Sequence, residues 1–247
     1  MMNSKLISWT AGALAALSML AVAVADDVET ITKMMQKLVP GMAPDRIVES
    51  PMPGLYEVSF GPDVLYVTKD GRYALQGDLI DVASKANLSE ARRAQGRVQL
   101  IKGLNEKDMI IFAAPPKQEK HVVTIFTDVD CAYCRKMHGE MADYNKAGIT
   151  VRYLAFPRSG VDTPSYYKMV GVWCAKDRRA AMTRAKLGEA VEQKTCDNPV
   201  KKHLAAAERV GVSGTPTMVL EDGTVVPGYM PAARLSQALD QLATAAR

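Results

Sequence analysis

Cysteine is scarce in this chain, with four residues in 247. That excludes a disulfide-knot scaffold, and a chain of this length is able to bury a core without one. Three histidines, no second C-x2-C and no H-x3-H spacing leave little from which to build a four-ligand zinc site. No block of five or six like charges occurs, and a net charge of +4 from 31 basic and 27 acidic residues is too mild and too evenly spread for a nucleic-acid partner. Beyond Ala25 no stretch approaches the roughly 20 apolar residues that span a bilayer. Internal repeats and low-complexity segments are absent as well. What remains is globular in composition, 48% hydrophobic and 23% charged, and long enough for one to two domains.

The N-terminus is different. Lys5 is the only charged side chain before Asp26, and the uncharged run from Leu6 closes on Ala23-Val24-Ala25. A basic start, an apolar stretch and a small-x-small end predict a secretory signal peptide over 1–25. The competing reading is an uncleaved anchor. Export would carry the cysteines out of the reducing cytosol, where disulfides persist, and four thiols allow three pairings.

Residues 26–86 read as a small α+β unit. Val28, Ile31, Met34, Met35 and Leu38 recur at helical spacing until Pro40-Gly41. Strand-like runs follow at Leu55–Phe60, Val64–Thr68 and Tyr73–Gln76, separated by Gly61-Pro62-Asp63 and Lys69-Asp70-Gly71 turns. A unit this small buries little of its own surface, which favours pairing with a second copy. Residues 87–106 read as a linker helix opened by an Asn87/Glu90 capping box. Residues 107–247 then run strand (Val122–Phe126), helix (Cys131–Lys146), strand (Ile149–Phe156), helical insert (162–210), hairpin (Thr217–Leu220 and Thr224–Val226) and helix (Ala232–Ala246), an α/β pattern.

The chemistry lies in Cys131-Ala132-Tyr133-Cys134, directly after a strand and at the opening of a helix. Free N–H groups and partial positive charge at a helix start favour a thiolate. Cys131 is therefore expected to be the low-pKa nucleophile and Cys134 the resolving thiol. Arg135 and Lys136 add positive potential, whereas Asp128 and Asp130 oppose it if they point inward. Two other readings exist for this pair: an inert structural disulfide, or half of a metal site with His138. The second signal is Gly214-Thr215-Pro216 ahead of a strand, where a proline belongs because it has no N–H for the ladder. A C-x-x-C helix followed by Gly-Thr-Pro at a strand start resembles the thioredoxin fold. On that resemblance Thr215-Pro216 is cis, lies against Cys131, and offers its backbone to an extended substrate. His121 and His203 read as surface or packing residues, and His138 receives no role.

The resemblance extends further. His121–Cys134, Met141–Asn145, Gly148–Pro157, Trp173–Asp177, Val212–Pro216 and Val226–Tyr229 resemble the DsbC family of periplasmic disulfide isomerases, and Val64–Thr68, Asp70-Gly71 and Gln76-Gly77 resemble its dimerisation domain. Ala132 departs from the glycine usual there. The resemblance implies a cystatin-like N-terminal dimerisation domain, joined by a linker helix to a thioredoxin-fold domain with a helical insert. It implies a V-shaped homodimer paired through a strand edge near Arg72–Asp78, with Tyr73 and Gly77 at the interface. It also implies Cys131 and Cys134 as the catalytic pair, supported by Tyr133, Thr215 and Pro216. Cys174 and Cys196 become a structural disulfide enclosing 21 residues, worth roughly 3 kcal/mol in the chain-entropy account. No cofactor or metal is implied. The partners are misfolded disulfide-containing exported proteins, bound in a chaperone-like manner, and the membrane reductase DsbD. A DsbA-type thiol oxidase and a non-enzymatic dimeric holdase are the rival readings.

Overall fold

The computed structural model describes residues 25–245, so the leader expected over 1–25 lies outside the described residues except for Ala25. The chain forms two compact units that divide between Arg93 and Ala94, inside the expected linker helix.

In the first unit a helix, α1 (25–38), precedes an antiparallel sheet of β1 (Arg46–Glu49), β2 (Leu55–Phe60), β3 (Asp63–Thr68) and β4 (Ala74–Leu75) in that spatial order. Ile31 and Met35 of α1, one turn apart, pack on Tyr56, Val58, Phe60 and Val67 of the sheet. The strand β1 was not apparent in the sequence, since four residues with two charged ends carry almost no alternation. The strand expected over Tyr73–Gln76 shortens to two residues. Beyond Leu75 the backbone turns to other partners: Arg93 Nη2 donates to the Gly77 carbonyl at 3.0 Å, and Ser89 Oγ accepts the Leu79 N–H at 2.7 Å. A small ribbon of β5 (Ile80–Asp81) and β6 (Ala86–Asn87) follows.

The linker helix, α2, runs Leu88–Lys102, and Asn87 Oδ1 caps it by accepting the Glu90 N–H at 2.9 Å. It stops at Gly103, short of residue 106, and a 3-10 turn at Glu106–Asp108 leads into the second sheet.

That sheet has the order β11 (Val225–Pro227), β10 (Thr217–Val219), β8 (His121–Thr127), β9 (Ile149–Ala155), β7 (Ile110–Phe112). Only β8 and β9 are parallel, and their crossover holds α3 (Ala132–Gly139) and α4 (Met141–Lys146). Val123, Ile125, Val151 and Tyr153 face one core with Met137, Trp173, Met182 and Leu235; Phe126 and Leu154 face a second with Met109, Ala207 and Val210. Covered on both faces, the central strands read as nearly continuous apolar runs. The single helix expected over Cys131–Lys146 is two, broken at Glu140 (φ −97°, ψ 14°), whose carboxylate accepts the Tyr229 hydroxyl.

The insert comprises α5 (Pro164–Trp173), α6 (Arg178–Lys186) and α7 (Val200–Val210), and α8 (Ala232–Ala245) closes the sheet. Cys174 and Cys196 form a disulfide with a Cα–Cα distance of 5.8 Å, tying the end of α5 to the segment before α7. In the β10–β11 turn, Gly223 (φ +86°) lies against the Ala94 carbonyl where a side chain would not fit, and its own carbonyl accepts Arg97 Nε at 2.7 Å.

The histidines are more embedded than surface residues would be. His121 pairs with Asp240 at 2.8 Å. His203 is 1% exposed, stands edge-on to Trp173, and accepts the Ala155 N–H on Nδ1 at 3.2 Å. Burial first, then Arg178 and Lys202, hold its pKa down at about 4. The unfolded chain binds that proton near pH 6.5, so it carries more protons than the native state below this value. Stability to urea is therefore expected to be full above about pH 6.5 and to fall progressively until about pH 4, by about 3 kcal/mol for this group. Urea titrations of His203→Gln across that window should show a flatter profile than the parent.

Candidate active site

The strand β8 ends at Thr127, and the next four residues carry the chain to Cys131, the N-cap of α3. Cys131 is extended (φ −85°, ψ 123°), and its Sγ accepts the Cys134 N–H at 3.4 Å. The sulfur thus takes the place that a serine or aspartate oxygen occupies in an ordinary helix cap. Across from it, the cis Thr215-Pro216 bond precedes β10, and the Cys131 thiol donates to the Thr215 carbonyl at 3.2 Å. The Thr215 hydroxyl is buried without a hydrogen-bond partner among the described residues.

The two sulfurs differ in their surroundings. Burial pushes the Cys131 thiol up, but its contact with Thr215, the Cys134 N–H and thiol, and the Arg158 guanidinium outweigh it, so its pKa falls below the ordinary thiol value. Cys134 is 1% exposed, and there burial wins: its pKa rises despite Lys186, the Thr127 hydroxyl and the Asp128 N–H. The pair is built for one thiolate at a time, on Cys131.

The acidic neighbours resolve in opposite directions. Asp128 is buried but fully engaged, accepting from Ser165 Oγ at 2.7 Å, the Asp130 N–H at 2.8 Å, and the Arg158 N–H and Nε at 3.0 and 3.3 Å. Burial raises its carboxyl and these four donors lower it further, leaving it below the usual range. Asp130 turns outward to Lys168 at 2.8 Å and Arg135 at 3.3 Å. Arg135 is thereby paired, and Lys136 lies 4.6 Å over the Tyr229 ring; the guanidinium that acts on Cys131 is that of Arg158, itself paired with Asp128. Tyr133 is 63% exposed and stacks on Tyr229 with centroids 6.4 Å apart. His138 meets Thr183 Oγ1 at 3.0 Å and the Tyr153 hydroxyl at 3.4 Å.

The structure thus gathers Cys131, Cys134, Thr215 and Pro216 at the end of β8, with Tyr133 exposed on the first turn of α3. Cys174 and Cys196 are held in their own disulfide, and Tyr73 and Gly77 lie in the first unit. Arg158 and Lys186 escaped sequence reasoning. Arg158 follows the Phe156-Pro157 strand end, and a basic residue there was open to suspicion. Lys186 sits in an Arg- and Lys-rich helix where no spacing separates it from its exposed neighbours.

Residues 108–243 match the thioredoxin-like domain family, and residues 21–90 match the disulfide bond isomerase protein N-terminal domain. The thiol:disulfide interchange protein DsbC of Escherichia coli (strain K12) is 42% identical over 215 residues, covering 86% of each chain. The chain belongs to the DsbC family. The DsbC of Salmonella typhimurium is likewise 42% identical, over 89% of this chain and 90% of that one, and the DsbC of Haemophilus influenzae is 37% identical over 80% and 84%. Like other DsbC-family members it is a thiol:disulfide oxidoreductase of the isomerase class, built from the two domains described above.

Alkylation of the reduced protein, resolved by peptide mass, should modify Cys131 well ahead of Cys134, with the Cys131 rate levelling off below the ordinary thiol pKa of about 8.5. Equal rates at the two sulfurs would remove the asymmetry.

Proposed function

We propose that Cys131 is the nucleophile with which this DsbC-family protein reshuffles wrong disulfides in exported proteins. The observation that carries the reading is its sulfur at the start of α3, capped by the Cys134 N–H and set against the Thr215-Pro216 segment. The Cys131 thiolate attacks one sulfur of a client disulfide, forming a mixed disulfide and freeing the other client sulfur as thiolate. That thiolate attacks a further client disulfide, and the thiolate displaced there attacks the client sulfur of the mixed disulfide, forming a new client disulfide as the bond to Cys131 breaks and Cys131 leaves as thiolate. If release stalls, Cys134 attacks Cys131 and the client leaves reduced. Tyr133 and the Thr215 backbone dock the client by apolar contact and strand addition. Cys174–Cys196 is structural. The pair needs no cofactor, but electrons lost in the stalled route must be restored, which is the part of the membrane reductase DsbD. Periplasmic residence after removal of 1–25 and chaperone-like holding of unfolded clients complete the reading.

The protein acts as a homodimer through the free edge of the first sheet. Among the described residues the last strand there, β4, has no neighbour beyond it, and Tyr73 (60% exposed) and Leu75 (55%) stand on it or beside it. Nothing lies within 4 Å of a Cβ placed on Gly77, so a side chain at this position leaves the monomer undisturbed.

A protein with scrambled disulfides should regain activity with the parent enzyme and not with Cys131→Ala; recovery by the variant would falsify the assignment. Gly77→Glu is expected to sediment as a monomer while keeping its fold, with isomerase activity lost. A variant that stays dimeric would place the interface elsewhere.

A further inference from the structure

Lys186 ends α6 in the helical insert, yet it is 4% exposed. Its Nζ donates to Thr127 Oγ1 at 2.6 Å and to the Asp128 carbonyl at 2.9 Å, and lies 5.7 Å from the Tyr153 ring centre. Thr127 and Asp128 close β8 beneath the cysteine pair, and their hydroxyl and N–H also act on Cys134. The charged and titratable groups facing the ammonium are Cys134, Arg135 and His138 from α3, Cys131 and Asp128 from the segment before it, and Tyr153 from β9. Among the described residues no carboxylate makes an ion-pair contact with it, since Asp128 gives its oxygens to Ser165, Asp130 and Arg158. His138 is held neutral by burial and by Lys186 itself, its pKa lowered to about 4. Asp128 still acts on the ammonium through space, but a buried cation with no anion in direct contact remains costly. The anion this site is able to generate next to it is a cysteine thiolate.

We propose that Lys186 is the positioning residue of the resolving step, its ammonium holding the Cys134 thiolate that ends a mixed disulfide. Burial lowers the Lys186 pKa to about 8, and Cys134, then the Asp128 carboxylate, then Cys131 draw it back up, with Cys134 the largest of the three. The inference rests on Cys131 as nucleophile. In the step, the Cys134 electron pair forms a bond to Cys131 Sγ while the bond from Cys131 to the client sulfur breaks. The client sulfur leaves as a thiolate and takes up one proton, balancing the one Cys134 gave up. No external oxidant is needed, because the client disulfide is reduced as the cysteine pair is oxidised. Lys186 thereby sets how long the mixed disulfide survives, and with it the balance between reshuffling a client and reducing it.

The test uses the reduced full-length protein and an aromatic disulfide whose thiolate is coloured. The first equivalent of colour reports mixed-disulfide formation at Cys131, and the second reports attack by Cys134. Lys186→Met, of similar size, and Lys186→Gln, which keeps a donor for Thr127, are both expected to leave the first phase nearly unchanged. Both should slow the second about tenfold or more and move its pH profile up by about one unit, as loss of one unit of thiolate stabilisation requires. A second phase unchanged in rate and profile in either variant overturns the proposal, as does equal slowing of both phases. If the parent gives no first phase, or Cys131→Ala retains it, the assignment of the nucleophile fails instead.

Discussion

A sulfur at a helix N-cap is the constraint from which the rest of the second unit takes its shape. The Cys131 Sγ needs the unpaired N–H groups of α3, so the helix must begin there and nowhere else. The parallel strand β8 delivers the chain to that point, and the Asp128 carboxylate, through four donors from three segments, fixes the loop in between. The proline of the facing segment contributes no N–H, which leaves the Thr215 carbonyl as the group that meets the sulfur. Each piece is ordinary on its own. Their convergence makes one sulfur more acidic than a free thiol and the other less so, within a single helical turn.

The division of labour between charges follows from tertiary placement. Near the surface, Arg135 and Lys136 are compensated by Asp130 and by the Tyr229 ring, and water screens what is left. Deeper in, Lys186 acts where the dielectric is low, and the same unit charge reaches further, whereas Arg158, its side chain half exposed, acts from the surface through its pairing with the buried Asp128. Lysines and arginines adjacent in sequence to a reactive cysteine are therefore a poor guide to the field it experiences. Residues brought in from β9's exit and from the insert matter more.

Much of this was legible in the sequence. The Cys131/Cys134 spacing, the Gly-Thr-Pro before β10 and the Asn87 cap are local signals whose chemistry does not depend on what packs around them. The strands β2, β3, β8 and β9 were readable because each is long enough to show alternation or a continuous apolar run. The misses share a physical cause. Neither β1 nor β7 has enough residues to carry a period, and just beyond β4 Arg93 binds the carbonyl of Gly77, sixteen positions before it. The break at Glu140 depends on Tyr229, and the burial of Lys186 depends on Thr127 and Asp128. Interactions of this kind exist only once the chain has folded.

The shortness of β4 also bounds assembly. A long, flat, apolar edge would recruit strand after strand, whereas two ladder positions joined antiparallel to their own copy would be used up at once, leaving no template for a third molecule. At the opposite border of the same sheet, Arg46 and Glu49 place opposite charges at the two ends of β1, which discourages growth from that side. A chain that pairs through β4 alone would thereby be restricted to finite, closed association.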